Sequence, residues 1–351
     1  MPAAQTLARS VINDADKAFF KGNGYLVVRN LLTSEELQIL RARSNVLAAP
    51  SNGHVERNRA ARKEAEERWA RTDVAAGGGG MGPDMGTDMM SPSKRVDPNS
   101  VPEERLSPEH ARRGPYLYNL RTRPVDPAAR EAALATDDPF NHVAVSIENL
   151  CDMDEVCRSF AANPKIIAVL RELLGPNLKM WYDHLFSKPP FNASGLYGGA
   201  NRYHQDGFFF SEPSATCWIA LDEVTKENGC LRYIPLTAGY GRFPQFDVIA
   251  HGIGMRELEQ EVLVPLHPGD AVFHDRMTVH GTGPNETGKS RRGWALHYTR
   301  AESTWGDFRF DPTAEPYTFV QTSDGLHLRN GRITGNRDYL LVSGQEFPGC
   351  V

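Results

Sequence analysis

The chain has 351 residues, of which 40% are hydrophobic and 24% charged, with a formal net charge of −5 at pH 7. That length can bury a substantial core, as one large domain or two ordinary ones, and the acidic balance gives no general attraction to nucleic acid or to an anionic membrane surface. No apolar run approaches the ~20 residues needed to span a bilayer, and the first twenty residues lack the continuous apolar stretch of a secretory signal. Five cysteines (Cys151, Cys157, Cys217, Cys230, Cys350) without C-x-x-C spacing argue against a disulfide framework or zinc ribbon and fit a reducing cytoplasm.

In chain order, Ala15–Lys21 reads as a short helix and Gly24-Tyr25-Leu26-Val27-Val28 as a strand. Thr33-x-x-Glu36 is a capping box ahead of Leu37, Ile39, Leu40 and Val46, read as one apolar helical stripe. Residues 54–71 are strongly charged. Residues 72–127 hold Gly77–Gly80, the Met-rich segment 81–90 and eight prolines, a composition that reads as a surface excursion or a substrate lid. Asn163-Pro164 opens a compact apolar helix that Gly175 stops. From Leu178 the period changes to short strands: LKMWYDHLF, TCWIALDEV, CLRYIP, EVLVPL, DAVFHD and GWALHYT. Turn chemistry at Glu227-Asn228-Gly229 and Pro268-Gly269-Asp270 separates some of them. Helices first and many strands afterwards predict a β-sandwich or jelly roll with helices packed outside.

The strand-rich half carries His204-Gln205-Asp206, then His280 and, eleven residues on, Arg291. Two imidazoles and a carboxylate suit a facial metal site with open coordination positions, for Fe(II) but also for Mn, Co, Ni or Zn. On a strand, residues i and i+2 face the same way, so His204 and Asp206 are expected to project together, with Gln205 turned elsewhere. The third ligand must come from a distant strand, and His280 follows the strand at 270–275. Arg291 opens the next strand. An arginine entering a barrel interior is costly unless an anion meets it, so it either awaits a ligand or pairs with an acidic side chain. His297 shares its strand parity and is expected inside, whereas Arg292 points the other way. His274 reads as a packed neighbour of the site rather than a ligand. Phe208, Phe209 and Phe210 read as core, with Phe208 and Phe210 also candidates for a substrate pocket.

The segments HQDGFFF, CWIALDEVTKENGCLRYIP, PGDAVFHDRMTVHGTGPNETGKSRRGWALHY and the N-terminal GYLVVRNLLTSEEL together resemble the phytanoyl-CoA dioxygenase family, a branch of the Fe(II)/2-oxoglutarate oxygenases. The resemblance runs over residues 15–46 and 163–299. It implies a mainly β, α+β fold: a double-stranded β-helix (jelly roll, cupin-like) core with flanking N-terminal helices. It further implies one oxygenase domain over 1–351, with N-terminal support at 15–50, an insertion at 50–140, the catalytic core at 163–300 and a C-terminal extension at 301–351. His204, Asp206 and His280 match the iron ligands. Arg291 matches the arginine that holds the distal carboxylate of 2-oxoglutarate, with Thr282, Trp218, Gln205 and His184 at positions facing the co-substrate. Because Asp206 is kept, the resemblance implies hydroxylation rather than halogenation.

The implied cofactors are Fe(II), 2-oxoglutarate and O2, with succinate and CO2 as co-products. The expected substrate is a small molecule of the specialised-metabolite kind, handled by a cytoplasmic monomer or homodimer that binds neither nucleic acid nor membrane. The same residues would also serve desaturation, epoxidation, epimerisation or oxidative cyclisation. Outside the class, a cupin-like metalloenzyme working without 2-oxoglutarate, or a non-catalytic cupin-like binding module, would share the His/carboxylate set.

Overall fold

A computed structural model describes residues 12–48, 127–135, 138, 140, 146–148, 150–192, 201–206, 210–241, 255–304, 319–320, 327–329, 332–334 and 339–350. Most of the 50–140 insertion, including its Met-rich segment, lies outside these residues, as do Phe208, Phe209 and much of the 301–351 extension.

Local signals set the helices. Helix α1 (Asp14–Asn23) is capped by Asn13, whose side chain accepts from the amides of Ala15 and Asp16 while Asp16 returns a bond to the Asn13 amide. After strand β1 (Tyr25–Val28), helix α2 (Ser34–Ala48) starts at the expected capping box: the Thr33 amide donates to Glu36 at 2.7 Å and the Glu36 amide to Thr33 Oγ1 at 3.2 Å. Its buried stripe is Leu37, Leu40, Ser44 and Leu47. Ile39 and Val46 are each 47% exposed; they lie about 200° around the helix from Leu37 and Ser44 respectively, so they belong to a different face. Helix α3 (Pro127–Leu134), α4 (Leu150–Met153) and α5 (Glu155–Ala161) precede α6 (Pro164–Leu174), which begins on Asn163-Pro164 and ends at Gly175 as its sequence requires.

The strands form two principal antiparallel sheets. The larger contains β1, β2 (Ser146–Glu148), β3 (Leu178–Lys188), β5 (Ser214–Ala220), β8 (Ala271–Asp275), β10 (Arg291–Arg300) and β14 (Leu340–Ser343), in the order β1-β8-β5-β10-β3-β14 with β2 also on β3. The smaller contains β4 (Asn201–His204), β6 (Leu231–Tyr233), β7 (Val262–Val264) and β9 (His280–Thr282), in the order β4-β9-β6-β7. Strands β11 (Phe319–Val320), β12 (His327–Arg329) and β13 (Arg332–Thr334) make a separate ribbon, and Met255–Leu258 adds a short helix, α7.

Two cores separate the layers. Alternate residues of the large sheet, such as Cys217, Ile219, Phe273, Trp294, Leu296 and Tyr298, pack against the helices. Their neighbours Trp218, Ala220, Val272 and Ala295 pack against Leu231, Tyr233 and Val264 of the small sheet. Strand β5 is therefore buried on both faces, and the inner face of the large sheet looks at the small one, the arrangement of a jelly roll. Arg292, on the helix side, grips Asp222 with Nε and Nη2 at 2.8 Å each and reaches Asn45 of α2, tying that helix to the sheet.

Candidate active site

His204 ends β4 and His280 begins β9, and the two lie opposite each other in the antiparallel ladder. Their ring centroids are 4.3 Å apart. Asp206 is past the strand, in a bend whose backbone amide donates to Arg276 O at 3.0 Å. The bend, rather than strand alternation, brings its carboxylate round: Oδ1 lies 3.3 Å from His204 Nε2 and 3.6 Å from His280 Nε2. The ligand atoms of all three lie within 4.8 Å of one another, a spacing that fits one shared cation. His280 Nδ1 donates to Thr278 O at 3.0 Å, which leaves its Nε2 with a lone pair for a metal. Burial pushes His280 well below the usual imidazole range, so it is neutral, as a ligand must be. Burial alone would raise Asp206, but the imidazoles of His280, His204 and His274 hold its carboxyl well below the usual carboxylate range.

The other carboxylate oxygen is held from behind. Asp206 Oδ2 accepts from Thr216 Oγ1 at 3.0 Å and from His274 Nε2 at 2.9 Å. His274 Nδ1 in turn accepts from the Tyr233 hydroxyl at 2.8 Å, and Tyr25 stacks on Tyr233 with centroids 4.6 Å apart. These groups come from one rung of the large sheet: His297, Thr216, His274 and Tyr25 are cross-strand partners on β10, β5, β8 and β1. Such outer contacts fix a ligand's orientation and leave Oδ1 for the cation. Thr216 and Tyr233 were not singled out from sequence; Thr216 shares parity with Trp218, but only the pairing of β5 with β8 and β10 brings it to Asp206.

Three rungs further along the inner face the chemistry changes sign. Arg291 is 1% exposed, pairs with Lys188 across β10 and β3, and forms no salt bridge with an acidic side chain of the described residues. Its Nη2 donates to Gly229 O at 2.7 Å, while its Nε is buried without a hydrogen-bond partner. Burial lowers its pKa to about 10, and burial together with Arg291 and Arg232 pushes the Lys188 amine well below the usual lysine range. Arg232 has Glu261 at 3.4 Å, whereas Arg291 has no acidic partner among the described residues, and a desolvated guanidinium of that kind is the counterpart of an anion.

The acceptor for Arg291 is set by a turn. Asn228 ties the 225–230 turn to itself through Thr225 and Glu223, and Gly229 follows at φ +84°. A Cβ there would meet Gly283 O at 2.3 Å, so only glycine fits. Trp218 lies between Arg291 and the metal ligands, its ring 5.3 Å from the guanidinium carbon. Gly293 makes room for it: a Cβ at that position would fall 1.9 Å from Trp218 Cζ2. Thr282 ends β9, opposite Leu231, and is buried.

The remaining sequence candidates are placed as follows. Gln205 donates through Nε2 to Gly241 O and Met277 O, both at 2.8 Å, which turns that nitrogen into the wall beside Asp206. His184 shares a rung with Ala295 and Trp218, and burial lowers its pKa to about 4. His297 accompanies Thr216, and Phe210 meets Trp181 edge-on at 5.2 Å, its carbonyl held by Arg276. Phe208 lies outside the described residues.

The family model "Phytanoyl-CoA dioxygenase (PhyH)" matches residues 20–293. The human "Phytanoyl-CoA dioxygenase, peroxisomal" is 25% identical over 184 residues, covering 49% of this chain and 54% of the relative. A "Methylphosphonate hydroxylase" of Gimesia maris is 33% identical over 144 residues, 39% of this chain and 54% of that one. The chain thus spans about half the length of the curated relatives it matches. Among solved structures, the epimerase SnoN in complex with Fe3+, alpha ketoglutarate and nogalamycin RO superimposes with TM-score 0.52 at 18% identity, covering 94% of this chain and 98% of that one. That likeness concerns the fold, the jelly roll described above. With strands β1 to β9 and the His204, Asp206, His280 cluster inside the matched region, the chain belongs to the phytanoyl-CoA dioxygenase (PhyH) family.

Proposed function

We propose that this chain is an Fe(II)- and 2-oxoglutarate-dependent dioxygenase that oxidises, by hydroxylation, a small-molecule substrate. His204, Asp206 and His280 would hold the iron, and the donor set fits it: two imidazoles, one of them with its far nitrogen already on a backbone carbonyl, and one carboxylate oxygen. The observation that carries the co-substrate assignment is Arg291, a buried guanidinium with no acidic partner among the described residues and an unpartnered Nε. A dicarboxylate reaching from the metal past Trp218 would give that cation its missing anion.

When bound, iron and 2-oxoglutarate supply the oxidising chemistry, with O2 consumed and succinate and CO2 released. The chain's own residues do the positioning. Thr216 and His274 fix which oxygen of Asp206 faces the metal, Gly229 aims Arg291, and Gly293 lets Trp218 and, on its rung, His184 line the path between the two ends. Thr282, buried at the end of β9, completes the co-substrate side, while Gln205, its Nε2 held by Gly241 O and Met277 O, braces the wall beside Asp206. The presence of a hydroxylase and an epimerase among the similar proteins supports the oxygenase class and leaves the outcome at the substrate to its placement.

The test is succinate release from 2-oxoglutarate by the whole chain in air. Release should require added Fe(II) and should vanish in His204→Ala and Asp206→Ala; succinate at wild-type rates in either variant would overturn the ligand assignment.

A further inference from the structure

The inner face of the large sheet carries a second orphan group that neither the metal nor the co-substrate end uses. His297 is 7% exposed, and its Nε2 is buried without a hydrogen-bond partner. A proton inventory fixes what that atom is. Thr216 has a single hydroxyl hydrogen, and Asp206 Oδ2, 3.0 Å away, can only accept it. Thr216 Oγ1 must therefore accept from His297 Nδ1, 2.9 Å away on the other side. With its hydrogen on Nδ1, a neutral imidazole has only a lone pair on Nε2. Burial lowers the His297 pKa to about 3, which agrees with the neutral ring. The result is a buried acceptor one hydroxyl removed from the metal carboxylate.

The surroundings of that acceptor are rings. Strand β3 has a register break opposite His297: Tyr182 pairs with His297 and Met180 with Tyr298, so Trp181 is an extra residue. A bulge of this kind re-aims side chains and recurs beside active sites. Here Trp181 and Tyr182 both stand against the His297 ring, at 5.4 and 5.2 Å between centroids, and Trp181 extends the wall to Phe210. Both Trp181 and Tyr182 keep part of their surface exposed although they sit in an interior strand. The wall thus offers aromatic faces with the His297 acceptor set into it, beside His184, whose ring lies 5.6 Å from that of His297 and whose Nδ1 is also buried without a partner.

We infer that His297 Nε2 is a substrate-recognition atom, and that the substrate is a ring compound presenting a hydroxyl or amine hydrogen to it while its apolar body lies on Trp181, Tyr182 and Phe210. This rests on the proposed oxygenase function and narrows it from small molecules in general to hydrogen-bond donors on a flat, largely apolar frame. A site built around an unsatisfied acceptor discriminates by what it leaves unpaired: the matching ligand lacking the donor buries a bare lone pair.

The test uses 2-naphthol and its methyl ether, which share the ring and differ in the donor. Calorimetric titration of the metal-free whole chain, where direct coordination of the phenol to iron plays no part, should give 2-naphthol a dissociation constant about tenfold lower. In His297→Phe, which keeps a ring at the position, the preference should disappear. Equal affinities in the wild type, no binding of either at millimolar concentration, or a preference that survives in His297→Phe would each overturn the inference. In 1H–15N spectra of the histidine-labelled metal-free protein, two imidazoles, His280 and His297, should carry hydrogen on Nδ1 and a bare Nε2. The set that is missing from the His297→Phe spectrum should shift on adding 2-naphthol, and finding that set protonated at Nε2, or unmoved, would also overturn the inference. Iron-dependent succinate release, measured in parallel, reports on the oxygenase reading alone, so the failure of one is separable from failure of the other.

Discussion

Replacing Gly293 by alanine adds one methyl group where the inner face has no room. The new Cβ would fall 1.9 Å from Trp218 Cζ2, 2.5 Å from Cε2 and 2.6 Å from Cη2, all inside any tolerable carbon–carbon contact. The indole cannot yield cheaply, because it is a rigid, buried ring packed between the sheets, with the Arg291 guanidinium 5.3 Å away. Overpacking of this kind costs about 1–3 kcal/mol, so Gly293→Ala should melt a few degrees lower. Moving the indole also disturbs the path between the metal ligands and Arg291, so 2-oxoglutarate affinity should fall with stability. Thermal unfolding and co-substrate titration on the same preparation read both effects. Gly22 supplies the control: it lies in α1 with nothing within 4 Å of its added Cβ, and Gly22→Ala should stabilise by about 0.5–1 kcal/mol. Unchanged melting and unchanged 2-oxoglutarate affinity in Gly293→Ala would refute the reasoning.

Arg291→Ala should raise the 2-oxoglutarate requirement roughly ten- to 150-fold, the equivalent of a charged hydrogen bond worth about 1.5–3 kcal/mol; an unchanged dependence in steady-state kinetics would remove the arginine from the co-substrate site. Thr216→Val and His274→Phe release Asp206 Oδ2 and should weaken Fe(II) binding about 10- to 100-fold by competition titration, whereas wild-type affinity in both would show that the grip is idle. His184 gives a pH signature. Burial takes its pKa from 6.5 to about 4, so below pH 6.5 the unfolded chain binds a proton that the folded one refuses. Its contribution therefore erodes as pH falls from 6.5 towards 4, by up to about 2 kcal/mol at pH 5. Urea midpoints at pH 7.5 and 5 should draw closer in His184→Phe; an identical pH difference in wild type and variant would count against a buried neutral imidazole.

The sequence was informative where short-range chemistry decides. The Thr33–Glu36 box and the Asn163-Pro164…Gly175 helix need only their own neighbours, and both formed where their signals lay. The spacing of His204, Asp206 and His280 pointed to one cluster, and the three side chains converge. The stated reason was only half right: β4 ends at His204, and a bend held by Arg276 O, not i,i+2 alternation, turns Asp206 inward. Strand parity did carry His297 to the inner face with Arg291, because β10 runs unbroken from 291 to 300. What stayed hidden depends on cross-strand register. No local pattern joins Thr216 and Tyr233 to the site, sets Gly293 under Trp218, or places a bulge at Trp181, and His274, legible as a neighbour of the site, meets Asp206 through register alone. On α2, Ile39 and Val46 are as apolar as their buried neighbours, but their i+2 spacing from Leu37 and Ser44 already sets them off the buried face.

Joint binding of iron and 2-oxoglutarate in this chain is read out by anaerobic absorption spectroscopy. Adding Fe(II) and 2-oxoglutarate to the metal-free protein should produce a weak visible charge-transfer band that neither component gives alone. The band should be absent in Asp206→Ala and should require more 2-oxoglutarate in Arg291→Ala. A wild-type protein that binds Fe(II) yet shows no band at saturating 2-oxoglutarate would contradict the account.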